Sequence, residues 1–473
     1  MNTTVQEKIK SDNILSKIAD KFPDKKIYVV GGTVRDFIMD KDSYDRDLIV
    51  EGIPAKLFAE ELLNIFDATL VPLDEDNNIY RLVLKGSEDI HNPYMIDVTN
   101  PIENSLELDL MRRDLTINAI AVEIHSGKIT DMFGGISDIK TGTLNYIEEI
   151  NFVDDPLRLL RVYRFQAATD FNLSGDLIHI ICKYTDLISK PAKERVLYEL
   201  MKLFSGKYTA NALTNMNKTW LLEEIFPVVK ELKQIPPNTH HHLGLLEHSI
   251  ETVNQVQLLY EDANDNIKEH LNKVDFGGFS RLAHLKLAAF LHDIGKFSTW
   301  TIEKETGRHR FLKHDDVGSK MAKKILKDLS CSNKQIEYVS TLIKNHIYPS
   351  ALMADPEVNE KAMMRFIRKI NDNTIDNIIL SMADRLSARG EAVTDEMVEN
   401  NIKNLNRLLN FYFDKINELA PLPKLLDGNE VMELLKIKQS PKLGKILSAL
   451  YEAQLDGDIN TKDEAIKFVK NYK

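Results

Sequence analysis

Ile27-Tyr28-Val29-Val30-Gly31-Gly32-Thr33-Val34-Arg35-Asp36, followed shortly by Asp45-Arg46-Asp47-Leu48-Ile49-Val50, decides how the first part of this chain folds. The apolar run predicts a strand, the two glycines a tight turn, the next residues a short helix, and Asp45–Val50 a second strand. Paired glycines let the backbone close on a polyanion, whose oxygens the exposed N–H groups can then hold. Asp45 and Asp47 stand two apart on the expected strand, so both carboxylates leave the same face. Paired carboxylates beside a phosphate cradle are what a two-magnesium phosphoryl or nucleotidyl transfer site requires. An isolated Asp-x-Asp reads more simply as a solvated turn. The glycine turn at this spacing reverses that preference.

Working outward, segments resembling further strands (Tyr80–Leu84, Met95–Val98, Ala119–Ile124) alternate with short helices such as Pro54–Ile65, and residues 1–26 carry helical spacing at Ile9, Ile14, Leu15, Ile18 and Phe22. The polar stretches Asp74–Asn78 and Gly86–Asn92 read as loops. Beyond Asp155 strand signals nearly vanish and helical stripes run to the C-terminus, with a break expected at Pro236-Pro237. The chain has 473 residues, enough for about three or four domains. Apolar content of 43% and charged content of 28% are those of a globular protein. No run is apolar for long enough to span a membrane, and polar Glu7, Lys8, Lys10 and Asp12 leave no signal-peptide core. Two distant cysteines, Cys182 and Cys331, fit a reducing cytoplasmic setting without disulfides. A net charge of −11 argues against non-specific coating of nucleic acid, yet Arg158, Arg161, Arg164, Lys190, Lys193 and Arg195 form one basic section.

Two more segments accompany the glycine turn. Met111-Arg112-Arg113-Asp114-Leu115-Thr116-Ile117-Asn118-Ala119 sets two guanidiniums, an acid and an amide ahead of a strand. Arginine forks suit triphosphate oxygens, and an Asp or Asn can take a ribose hydroxyl. A surface ion-pair cluster is the alternative. Asp154-Asp155-Pro156-Leu157-Arg158-Leu159-Leu160-Arg161 opens a helix, with Asp155 as an N-cap before proline and Arg158 one turn on. Adenine and cytosine each present an exocyclic amine beside a ring-nitrogen acceptor. An Asp acceptor next to an Arg donor matches both, whereas uracil and guanine turn a carbonyl toward the carboxylate. Asp97 in Met95-Ile96-Asp97-Val98 is either a third carboxylate or a solvent-facing strand residue.

In order, GGTVRD with DRD, RRDLTINA and DDPLRLLRVYRF resemble the signature segments of class II tRNA nucleotidyltransferases, the CCA-adding enzymes and their bacterial poly(A) polymerase relatives, over roughly residues 25–205. The resemblance implies that Asp45 and Asp47 hold catalytic Mg²⁺ and that Gly31, Gly32 and Arg35 shape the triphosphate site. It implies further that Arg112, Asp114 and Asn118 serve sugar and phosphates, and that Asp155 and Arg158, with Arg161 nearby, bind the incoming nucleotide. Asp154 departs from the usual glutamate of that family.

A second constellation lies downstream: His248, His292-Asp293, His314, His346 and Asp384, each in or beside an apolar helical stretch. Imidazoles and carboxylates projecting from facing helices can hold one or two divalent ions. Leu291-His292-Asp293-Ile294-Gly295-Lys296 resembles the signature of HD-domain phosphohydrolases, over about residues 240–390, and some CCA-adding enzymes are similar in carrying such a domain. The resemblance implies Mg²⁺ or a divalent transition metal there, and phosphatase or cyclic phosphodiesterase chemistry. His240, His241 and His242 read as solvent-facing or capping, and Lys296 as a surface lysine or a phosphate partner.

The expected fold is α+β: a DNA polymerase β-like nucleotidyltransferase head with a mixed sheet (1–145), an all-α neck and body (146–235), an all-α HD domain (236–400) and a C-terminal helical tail (401–473). The expected activity is template-independent addition of CMP and AMP, from CTP and ATP, to the tRNA 3′ end, in the cytoplasm and without a membrane or protein partner. A-only addition, CC-only addition and poly(A) synthesis are alternatives of the same class. An HD hydrolase of a signalling nucleotide and a silent RNA-binding scaffold are alternatives of other classes.

Overall fold

The computed structural model describes residues 2–85, 94–238, 242–305, 307, 309–415, 423–455 and 457–472. It groups into two compact units, Met1–Pro227 and Val228–Lys473.

The first unit is built on seven strands: β1 (Lys26–Val30), β2 (Asp45–Glu51), β3 (Ala68–Asp74), β4 (Ile79–Leu84), β5 (Met95–Thr99), β6 (Ile120–Glu123) and β7 (Ile129–Asp131). They lie in the order β3-β4-β5-β2-β1-β6-β7. Only β2 and β5 run parallel, which makes the sheet mixed. In that pair Asp47 lies opposite Asp97, and Asp45 opposite Met95. The alternation of β2 sends Arg46, 4% exposed, to the face away from the acids, where its guanidinium meets Asp12 at 2.5 Å. Asp12 also caps the helix Asn13–Lys21, which follows the helix Asn2–Ser11, so the helical N-terminal stretch is two helices that end before β1. Under the sheet, Val30, Ile49, Leu106, Leu110, Ala119 and Ala121 make a core cluster.

Strand β3 gave little sequence signal because it is an edge strand, mostly exposed and containing Pro72, which an edge tolerates. Asp74–Asn78 is accordingly the turn of a β3–β4 hairpin, while Gly86–Asn92 lies outside the described residues. After the sheet come the helices Leu157–Thr169, Gly175–Tyr184, Lys193–Ser205 and Thr209–Lys218. Buried Leu159, Leu160, Val162 and Tyr163 of the first of these supply its inner face.

The second unit is almost wholly helical. Helices Leu245–Asp262, Arg281–Leu291, His314–Asp328, Asn333–Asn345 and Thr374–Ser387 carry its centre. A short hairpin, Trp300–Ile302 with His309–Phe311, interrupts them, a departure from the expected all-α domain. Its strands are three residues long, too short for period-two alternation to register. Residue 401, the expected start of the tail, falls inside the helix Asp395–Lys415, whose buried Val398, Leu405 and Leu408 continue across it. The last three helices, Gly428–Leu435, Pro441–Leu455 and Lys462–Asn471, share a separate core around Val431, Ile446 and Val469. Pro236-Pro237 follows the helix Val229–Leu232, which already belongs to the second unit. Among the described residues no helix is long and apolar enough to cross a membrane.

Candidate active sites

In the first unit, Gly31, Gly32, Arg35, Asp45, Asp47, Arg112, Asp114, Asn118, Asp155, Arg158 and Arg161 all line one cavity of about 770 Å³. Gly31 turns the chain from β1 into the helix Gly32–Ile38 at φ 66°, where a Cβ would stand 2.7 Å from Arg113 Nη1 and 3.3 Å from Asp47 Oδ2. Thr33 stitches the turn to β2: its hydroxyl donates to Asp45 O at 2.9 Å and accepts from the Asp47 N–H at 3.3 Å. Burial, then the charges of Asp97 and Asp45, push the Asp47 carboxyl up to about 6 against the pull of Arg113 and Arg35. Burial also raises Asp45. Two carboxylates forced together in this way form an oxygen-donor set with a surplus of negative charge, and they fit a hard divalent cation. Asp97 is half-buried, and Arg81 holds it in a fork of two 2.7 Å bonds.

Beside the acids, a chain of hydrogen bonds fixes two guanidiniums. Arg35 donates to Asn118 Oδ1 at 2.7 Å, Asn118 donates to Asp114 Oδ1 at 2.9 Å, and Arg161 Nε donates to Asp114 Oδ2 at 2.7 Å. Burial works to raise the Asp114 carboxyl, but Arg161 and the bonds from Asn118 and the Leu115 N–H hold it well below the usual carboxylate range. Asn118 is thus engaged at both ends of its amide. Phe165 lies beneath Arg164, Arg35 and Arg161, at 4.2, 5.0 and 5.8 Å from its ring centroid. Buried Glu199 receives Arg164 at 3.2 Å and Arg161 at 3.8 Å. Sequence reasoning had Arg113 in its guanidinium pair and Arg164 in its basic section, but missed Phe165 and Glu199. Phe165 sat inside a quoted segment, whereas Glu199 lies on another helix and carried no signal.

Asp155 does not cap as expected. The helix begins at Leu157 with Pro156 before it, and Asp155 Oδ1 accepts only a 3.4 Å bond from the Leu157 N–H. Its Oδ2 instead accepts from Arg195 at 3.0 Å. The guanidinium of Arg158, partly buried in the cavity wall, has no hydrogen-bonded partner among the described residues, and burial pushes its pKa down. Asp154 is exposed and does not line the cavity.

In the second unit the five ligand-bearing segments converge. His248, His292, Asp293 and Asp384 form one potential metal-holding group, and Asp293, His314 and His346 another. Asp293 joins them: Oδ2 lies 3.1 Å from His292 Nε2 and 3.4 Å from His248 Nε2, while Oδ1 lies 3.1 Å from His314 Nε2. The Nδ1 atoms of His292, His314 and His346 each bond a backbone carbonyl at 2.7 Å. Those bonds put one proton on Nδ1 and leave the Nε2 atoms, gathered beside Asp293, as the ones a metal would take. His292 Nε2 is buried and has no hydrogen-bond partner among the described residues, the mark of an atom suited to a cation. Burial opposes a charge on His292, but Asp293 and Asp384 outweigh it and raise its pKa to about 10, so a proton fills the position that a cation would take. Burial, then the neighbouring His292, lowers His346 to about 4. Gly295 makes the close packing possible: a Cβ there would lie 2.2 Å from His314 O. Lys296 is no surface residue. It is 7% exposed, with Nζ 2.6 Å from Asp293 Oδ2. His242 is exposed and outside both groups, and His240 and His241 lie outside the described residues.

The sequence matches three family profiles: poly A polymerase head domain over residues 27–145, probable RNA and SrmB-binding site of polymerase A over 170–233, and HD domain over 245–389. It is 30% identical to the CC-adding tRNA nucleotidyltransferase of Thermus thermophilus, over 94% of this chain and 93% of that one. It is 29% identical to the A-adding tRNA nucleotidyltransferase of Deinococcus radiodurans, over 94% and 95%. A Thermotoga maritima CCA-adding enzyme complexed with tRNA shares the fold at a TM-score of 0.57 and 20% identity, over 99% of this chain and 97% of that one. With a polymerase-type head ahead of an HD domain, and likeness to such enzymes along nearly its whole length, the chain is an enzyme that belongs to the tRNA nucleotidyltransferase family.

Proposed function

We propose that this protein completes tRNA 3′ ends with C and A residues, drawing on CTP and ATP. The observation that carries the reading is the meeting of an acidic pair, an arginine wall and an unengaged Arg158 beside Asp155 in one cavity. Asp45 and Asp47 would hold Mg²⁺, which when bound would acidify the RNA 3′-hydroxyl and neutralise charge on departing pyrophosphate. Arg35, Arg112, Arg113, Arg161 and Arg164 orient the triphosphate for in-line attack and offset the charge that develops on it. Asp114 and Asn118 act through the guanidiniums they hold, and Phe165 gives those guanidiniums a flat floor. Arg158 donates to the ring acceptor of adenine or cytosine while Asp155 accepts from the exocyclic amine. That match excludes uracil and guanine.

A second reading within the class, CC-only or A-only addition, is favoured by the near-full-length likeness to the partial adders of T. thermophilus and D. radiodurans. One experiment separates them. Transcripts of tRNA lacking CCA, CA or A are offered single nucleoside triphosphates, and the products are sequenced. C followed by A supports complete addition, C or A alone supports a partial adder, and long A tails support a poly(A) polymerase. No incorporation of either nucleotide refutes the proposal.

The histidine–aspartate centre would hold one or two divalent ions, whose Lewis acidity serves phosphate-ester hydrolysis. Its donors mix imidazole with carboxylate, a set suited to transition metals as well as Mg²⁺. Hydrolysis of a 2′,3′-cyclic or terminal phosphate would restore the hydroxyl that the head extends. Incubation of cyclic-phosphate-ended RNA with the protein and added Ni²⁺, Mn²⁺ or Mg²⁺ should release the free end. Unchanged RNA refutes the coupling.

A further inference from the structure

Tyr198 lies on the helix Lys193–Ser205 with 50% of its surface open. Exposure alone says little, since Trp220 is 55% exposed and does not line the head cavity. What distinguishes Tyr198 is its flanks. Arg195 precedes it by three residues and Lys202 follows by four, so all three share a helix face. Arg195 donates to Asp155 Oδ2 at 3.0 Å. Lys202 lines the head cavity, its charge reaches Asp45, and its Nζ sits 4.5 Å from the Tyr198 ring centroid. One face of this helix therefore carries, in order, a cation bound to Asp155, an open aromatic ring, and a cation in the cavity that both Asp155 and Asp45 line.

The two acids have unequal surroundings. Asp47 abuts the glycine turn and Arg113, the side furnished for phosphates. Asp45 is the more exposed of the pair and shares the cavity with Lys202, whose charge acts on it. With a triphosphate on the glycine and arginine side, the strand end that attacks it is left the rim at Asp45. An open aromatic ring beside a cation is the usual stacking platform for an unpaired base, tolerant of base identity because every base has a π face. That tolerance suits an enzyme whose terminal base changes with each addition.

We propose that Tyr198 stacks on the 3′-terminal base of the RNA being extended, with Lys202 against its phosphate. This inference rests on the RNA-extension reading of the head cavity. The test compares wild type, Tyr198→Ala and Tyr198→Phe on tRNA lacking CCA and on tRNA lacking only the final A, each also with an abasic 3′-terminal nucleotide. A further substrate carries 2-aminopurine at that position, and stacking quenches its fluorescence. Tyr198→Ala should raise the KM for intact RNA about tenfold and abolish the quench, leaving the KM for CTP within about twofold. Tyr198→Phe should behave as wild type. Wild type should prefer the intact over the abasic end, and Tyr198→Ala should lose that preference. The intact-to-abasic ratio is internal to each variant, so a partly folded preparation does not shift it. Extension by wild type with an unchanged ratio in Tyr198→Ala overturns this inference alone. Failure of wild type to extend any of these RNAs overturns the extension reading and this inference together.

Discussion

Asp114→Asn probes the arrangement of the head cavity most directly. The Asp114 carboxylate is 4% exposed and accepts from Arg161 Nε at 2.7 Å, Asn118 Nδ2 at 2.9 Å and the Leu115 N–H at 2.9 Å. Replacing it with an amide keeps the shape, removes the charge and confronts Asn118 Nδ2 or Arg161 with a donor. Breaking a fully buried ion pair costs about 3–5 kcal/mol. Here Arg161 keeps 32% of its side chain open and retains Glu199 at 3.8 Å, so the lower figure of about 2–3 kcal/mol applies. For a unit of this size that corresponds to a fall in Tm of roughly 5–10 °C.

The pH dependence of that loss has a definite sign. Because the folded carboxyl sits below its ordinary value, its stabilisation is full above the unfolded pKa of about 3.9 and fades as pH drops toward the folded one. The Tm gap between wild type and Asp114→Asn should be constant from neutral pH down to about 5 and then close in more acidic buffer. Thermal unfolding followed across that range, with KM for ATP and CTP at neutral pH, checks both halves. A Tm loss under about 2 °C at neutral pH, or a gap that persists in acid, refutes the assignment of Asp114 as the anchor of Arg161.

Asp47→Ala should lower incorporation at least about a thousandfold by removing half of the oxygen-donor pair, and radiolabelled CTP incorporation reads it. The Asp47 carboxyl sits at about 6, so protons compete with the cation below that pH, and apparent Mg²⁺ affinity should fall about tenfold per pH unit there, measured by activity titration. Gly31→Ala forces a Cβ to 2.7 Å from Arg113 at a positive φ, and it should raise the KM for both nucleotides more than tenfold while the fold, read by circular dichroism, persists. A divalent ion entering the HD centre must displace the proton shared with His292, so calorimetry in buffers of different ionisation enthalpy should report about one proton released per ion, and none for His292→Ala.

The head's central strands and both sites were legible in the sequence because each rests on a local rule. Glycine at a positive φ, acids two apart on a strand and a His-Asp pair at a helix end are local features, and the structure brings every one of those side chains into its expected cluster. The partners were not legible. Arg195 reaches Asp155 across 40 residues, Glu199 gathers two arginines from a neighbouring helix, and Arg81 claims Asp97 from an adjacent strand. Such pairs follow from how helices and strands pack, which spacing along one segment does not encode. The edge strand with Pro72 and the three-residue hairpin of the second unit failed for a different reason: too few buried positions to leave a period.

The two centres also differ in donor chemistry, and that difference has a consequence. Asp45 and Asp47 offer only carboxylate oxygens, a hard set matched to Mg²⁺. The second centre sets four imidazoles, from His248, His292, His314 and His346, around two carboxylates, and imidazole raises affinity along the series from Mn²⁺ toward Cu²⁺. With a transition metal in that centre, a chelator selective for such metals should slow the proposed hydrolysis well below its chelator-free rate while Mg²⁺-dependent nucleotide addition continues, and excess Zn²⁺ or Ni²⁺ should restore only the former. If one chelator concentration extinguishes both activities in the presence of ample Mg²⁺, the division of metals between hard and softer donors is wrong.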